Sequence, residues 1–111
     1  MEEAKKLQVR LSIQFNYDLD DIYQYGLETF GLAQARLYED KIWKLIAILS
    51  HNYLLFPECR YLVTKSKMYR WIILDSHLII YRITGSQVQA LRLLHAKRSI
   101  TKIRASRSVR L

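Results

Sequence analysis

Apolar and polar positions alternate strictly at the start of the chain. Leu7, Val9, Leu11, Ile13 and Phe15 are separated by Gln8, Arg10, Ser12 and Gln14. A period of two predicts a strand with one buried face. From Leu19 the period lengthens: Leu19, Ile22, Tyr23, Leu27 and Phe30 predict a first helix over about 19–30. Asn16 or Asp18 offers its N-cap, Asp20 and Asp21 suit the positive end of its dipole, and Gly31 suits its stop. The stripe Ala35, Tyr38, Ile42, Leu45, Ile46 and Leu49 predicts a second helix over about 32–51. Arg36, Asp40 and Lys44 lie on its other side, spaced for i,i+4 pairing. The short break at Gly31 makes the two an antiparallel hairpin, and Pro57 bars further helix.

The second half reads as sheet. Residues 59–64 suit a short strand. Three apolar runs follow, Tyr69–Leu74, His77–Ile83 and Gln87–His95, rich in isoleucine, valine and aromatics. Asp75-Ser76 and Thr84-Gly85-Ser86 are the turns between them, so the three runs form an antiparallel meander. In the middle run Leu78 and Ile80 point one way, and Ile79, Tyr81 and Ile83 the other. A strand apolar on both faces needs cover on both. The helical hairpin supplies one cover; the tail or a partner supplies the other. Trp71 is expected in the core, and Trp43, beside the helical stripe, is expected partly exposed. The fold class is α+β: an N-terminal strand and an antiparallel helical hairpin on one face of a curled antiparallel sheet.

Composition narrows the classes. A chain of 111 residues, half of them hydrophobic, with three glycines and one proline, fits one compact domain without a long linker. Cys59 stands alone, which excludes an intramolecular disulfide and fits a reducing cytoplasm. The opening MEEAKK has no apolar signal core, and no apolar run approaches the roughly 20 residues of a membrane span. The expected location is therefore the cytoplasm, without membrane contact. The net charge of +8 is unevenly placed: residues 1–58 carry −3 and residues 59–111 carry +11, with Asp75 the only acid of the second half. Such asymmetry points to a polyanion or an acidic protein partner. Residues 1–99 are expected to be the folded domain, and 100–111 a basic tail.

No phosphate-binding glycine loop and no zinc spacing is present, since His51, His77 and His95 are scattered, so no cofactor or metal is expected. The one cluster that suggests chemistry is Tyr81, Arg82, Arg92, His95, Lys97 and Arg98. RNA cleavage needs a group that exchanges protons near neutrality and cations that hold phosphate. His95 fits the first role; Arg82, Arg92 and Arg98 fit the second. Tyr81 lies on a strongly apolar strand and is expected in the core. The bland alternatives are a strand-end histidine held by a structural hydrogen bond and solvated edge arginines.

The segments DLDDIYQYGLETFGLAQARLYEDKI, SHLIIYRI and LRLLHAKRS, in this order, resemble RelE/ParE-type toxins of bacterial toxin–antitoxin systems. The resemblance covers about residues 7–99. It implies neutralisation by a cognate antitoxin whose segment wraps the toxin. RelE-like members cut mRNA in the ribosome, whereas ParE-like members poison DNA gyrase without cutting a bond themselves. RelE-like nucleases carry a functional tyrosine after the KRS motif, where this chain has Ile100, Thr101, Lys102 and Ile103. The long hairpin and the Leu94-His95 pair resemble the ParE side. The resemblance therefore implies a ParE-like gyrase inhibitor; the alternatives are a ribosome-dependent mRNA endonuclease using His95, Arg98 and Arg82, and a stand-alone nucleic-acid-binding module. Arg92, Lys97, Arg98, Lys102, Arg104 and Arg107 are the residues expected to meet the target or the antitoxin.

Overall fold

The structure, a computed structural model, describes residues 5–97 and 100–111. The candidate Arg98 lies outside the described residues. Strand β1 (Gln8–Leu11) leads into helices α1 (Ile13–Phe30) and α2 (Leu32–Asn52). The meander β2 (Tyr69–Leu74), β3 (His77–Ile83) and β4 (Gln87–His95) follows, and then a short helix α3 (Ile100–Ala105) with a 3-10 turn at Ser106–Ser108. The fold class is the α+β arrangement expected, with the hairpin on one face of a four-stranded sheet. Strand order is β1-β4-β3-β2. The meander is antiparallel, while β1 joins β4 in parallel and makes the sheet mixed.

Strand β1 is shorter than its alternation suggests, and α1 starts earlier than predicted. Ser12 is the reason. It is fully buried, and its hydroxyl accepts from the Phe15 amide at 2.9 Å and donates to the Leu91 carbonyl at 2.7 Å. Ser12 is thus the N-cap in place of Asn16 or Asp18, and Asp20 and Asp21 fall inside the helix. Phe15 satisfies both periods: it ends the alternating run and also starts the helical series Phe15, Leu19, Ile22. Ile13, by contrast, is 68% exposed, which a buried strand face would not allow. Gly31 ends α1 at φ 91°, a region that favours glycine, with its amide donating to the Leu27 carbonyl at 3.1 Å. Arg36, Asp40 and Lys44 form no ion pair among the described residues; α2 is instead tied to the sheet by Lys41–Asp75 at 2.8 Å.

The sheet separates two cores. On the hairpin side Phe15, Leu19, Ile42, Ile46 and Leu49 pack on Ile72, Leu74, Ile79, Tyr81, Val88, Ala90 and Leu93. On the other side Tyr69, Trp71, Leu78, Ile80, Leu91 and Leu94 pack against Cys59, Leu62, Ile103 and, at the rim, Tyr61 and Val109. The second cover is therefore the chain's own loop and tail. Residues 59–64 are not a strand: a single bridge pairs Glu58 with Arg70, while the Cys59 amide and the Pro57 carbonyl bond the edge of β2. That loop caps an edge that would otherwise be open to pairing. In β4 the register jumps, Ile80 opposing Arg92 and Tyr81 opposing Ala90, so Leu91 is the extra residue of a bulge.

Candidate functional site

Strand β1 reaches only to Ala90 along β4, and α1 takes over its edge from there. The Ser12 amide donates to the Ala90 carbonyl at 3.0 Å. Further along, Asp18 accepts from the Leu93 amide at 2.9 Å and from Nε and Nη2 of Arg92 at 2.8 and 3.0 Å. The side chains of α1 thus replace the missing strand. That hydrogen-bonded pairing with Asp18 raises the Arg92 guanidinium further above its usual range.

Between α1, α2 and the end of β4 lies a groove of about 750 Å³. Leu19, Ile22, Tyr25 and Phe30 make one wall and Leu93, Leu94, His77 and His95 the other. Asp18, Asp21 and Glu39 lie on the helical side, and Lys102 reaches its rim. Tyr25 and Phe30, each more than 60% exposed, stack edge to face at 6.4 Å near the hairpin tip.

The second wall of this groove holds two histidines that the sequence scattered. His77 and His95 are cross-strand partners, and their rings stand 5.4 Å apart edge to face. Tyr38 of α2 lies 2.6 Å from His77 Nδ1. Burial, and next the His95 charge, hold His77 below the usual imidazole range, against the pull of Asp75. Burial, and next the Asp75 charge, push the Tyr38 phenol up to about 12. The contact is thus a hydrogen bond between a protonated phenol and a neutral imidazole. His95 is exposed, and its Nδ1 accepts from the Lys97 amide at 3.1 Å.

Of the described candidates for RNA cleavage, Arg82 lies away from His95. Arg82 sits five residues beyond His77 on β3, about 17 Å away at the rise of a strand. Its guanidinium donates to the Gln89 side chain at 2.7 Å and to the Val109 carbonyl at 3.2 Å. Arg82 is a tether for the tail, and Arg92 a tether for α1. Lys97, Lys102, Arg104 and Arg107 are exposed, as a binding role requires. Tyr81 is fully buried; its hydroxyl donates to the Tyr53 carbonyl at 2.6 Å, and burial pushes its pKa up. Cys59 is buried and its thiol is likewise pushed up, so it is core and not a nucleophile. Sequence reasoning missed Tyr38, His77 and Asp18 as site residues; strand register brings in His77, and the packing of the helices against the sheet brings in Tyr38 and Asp18.

The family model for the ParE toxin of the type II toxin–antitoxin system parDE matches residues 9–100. The chain belongs to the ParE toxin family. A solved structure of a chromosomal ParDE toxin–antitoxin system from P. aeruginosa is similar in fold, with a TM-score of 0.70 at 17% sequence identity. The match covers 85% of this chain and 100% of that one. Among curated proteins no sequence is significantly similar to it. A ParDE system implies an antitoxin partner for this ParE-family chain. Among the described residues, no helix is long and apolar enough to cross a membrane.

Proposed function

We propose that this ParE-family toxin acts by inhibiting DNA gyrase and is neutralised by its antitoxin. The family match over residues 9–100 carries the reading. The distance of Arg82 from His95 supports it. His95 has Arg82 about 17 Å away on β3. It also shares its groove with the carboxylates Asp21 and Glu39, which repel RNA phosphate.

For the antitoxin, the groove beside the hairpin suits an apolar segment laid along Leu19, Ile22, Tyr25 and Phe30. Such a segment would order on binding and cover the exposed aromatics at the hairpin tip. The basic residue at its rim, Lys102, would meet an acidic flank of that segment.

The test uses purified toxin in a gyrase supercoiling assay and in a cell-free translation reaction. Supercoiling should fall with added toxin and recover when antitoxin is added first, while transcripts stay intact. Cut transcripts with unaffected supercoiling would replace this reading by an mRNA endonuclease.

A further inference from the structure

The face opposite the hairpin carries an uncompensated field of arginines. Tyr69 and Trp71 stand two residues apart on β2, about 7 Å, with side chains on this face. Arg82 and Arg107 both hold their guanidinium over the Tyr69 ring, at 5.8 and 6.0 Å. Arg60 holds its own over Tyr61 and Trp71, at 5.7 and 5.8 Å. Arg104 and Arg110 flank Arg107 on the tail, and both are exposed. Among the described residues none of these five is paired with a carboxylate. Asp75, the only acid beyond residue 58, is paired with Lys41 on the far side.

We infer that this face binds the phosphate backbone of duplex DNA. Three observations favour that partner. The field is made of arginine, the side chain whose planar fork matches phosphate. Stacking on rings holds the Arg60 and Arg107 forks in place, so little rotamer freedom is lost on contact, while Arg82 spends its own fork on Gln89 and the tail carbonyls. Exposed apolar side chains stand on this face as well, Ile73 on β2 and Ile100 at the start of α3, but they are few beside the five arginines. Helix α3 turns Ile103 into the core and presents Thr101, Lys102 and Arg104, so beyond Ile100 at its start it has nothing to insert into a bilayer. The 750 Å³ groove, the natural seat for a peptide, contains none of these arginines. The inference does not rest on gyrase as the target, because the duplex is offered alone.

The experiment follows fluorescence anisotropy of a labelled 20-base-pair duplex of arbitrary sequence with full-length toxin across a salt series. Binding is expected with a dissociation constant on the order of 10⁻⁵ M and a log–log salt slope of about −3 to −4, the release expected from four phosphate contacts. Arg104→Gln with Arg110→Gln should make the slope shallower by about 2 and leave the melting temperature unchanged. Arg104→Lys with Arg110→Lys should keep the slope. Absence of duplex binding at 50 mM salt overturns the inference, as does an unchanged slope in the glutamine pair. So does a lost slope in the lysine pair, or tighter binding of labelled polyglutamate or of phosphatidylserine vesicles at equal salt.

Discussion

Asp18 makes three hydrogen bonds, two to the Arg92 guanidinium and one to the Leu93 amide, and is little exposed. Asp18→Ala leaves a half-buried guanidinium without its partner and orphans a strand amide. The expected loss is about 2–4 kcal/mol of unfolding free energy, read from the urea midpoint. Asp18 was visible in the sequence only as a cap candidate, since its partners lie 74 and 75 residues away and no local pattern records them. His95 is the reverse case. Its position at the end of the last strand was legible, and its chemical company was not. Because its bonded contact is the Lys97 amide, His95→Gln is expected to cost about 0.5–1.5 kcal/mol at most and to leave growth inhibition intact. Loss of toxicity in a stably folded His95→Gln protein would contradict the gyrase reading.

Helix α2 meets the β2–β3 turn through two side-chain links, Tyr38–His77 and Lys41–Asp75. The first is pH-sensitive. Asp75, His95 and Tyr38 face His77, with Lys41 paired to Asp75, and burial with the His95 charge outweighs Asp75 in holding it neutral. A folded-state pKa below the unfolded value means that the unfolded chain binds the proton more readily. His77 therefore contributes stability in full above about pH 6.5, and that contribution is lost as pH falls through its lower folded value. His77→Phe should flatten this acid limb between pH 7 and 5 in thermal melts; an unchanged limb would remove His77 as its source. Element boundaries show how far sequence alone carries. The α2 stripe and the Gly31 stop were legible because one period and one stop residue coincide. The start of α1 was not, because Phe15 fits strand and helix periods alike, and Ser12 is settled as cap by its hydroxyl's bond to Leu91, 79 residues on. Residues 59–64 carry strand-like side chains, yet Cys59 and Leu62 turn into the second core and leave only one bridge to β2.

At the scale of the whole molecule, the sequence demanded two covers for the sheet. The apolar residues on both faces of β3 sort between the two cores in the predicted alternation. Which segment forms the second cover was not legible, because residues 100–111 offer only Ile100, Ile103, Val109 and Leu111 as large apolar groups, in a stretch of six cations that begins at Lys97. The structure docks Ile103 at 3% exposure, buries Ser106 fully and lets Arg82 bond the Arg107 and Val109 carbonyls. The tail is thus both cover and charge carrier, and a deletion cannot separate the two roles. Removing residues 100–111 uncovers Trp71, Leu78 and Leu94 and forfeits the burial of Ile103 and part of Val109, about 2–4 kcal/mol. The truncated chain should therefore melt earlier and bind a hydrophobic dye such as ANS, whatever its effect on gyrase or DNA. Arg104→Glu and Arg107→Glu change the outer charge and leave Ile103 in place. They should shift stability by about 0.5 kcal/mol or less while weakening target contact. If the two charge reversals unfold the protein as the deletion does, the tail holds the fold through its charges and not through Ile103.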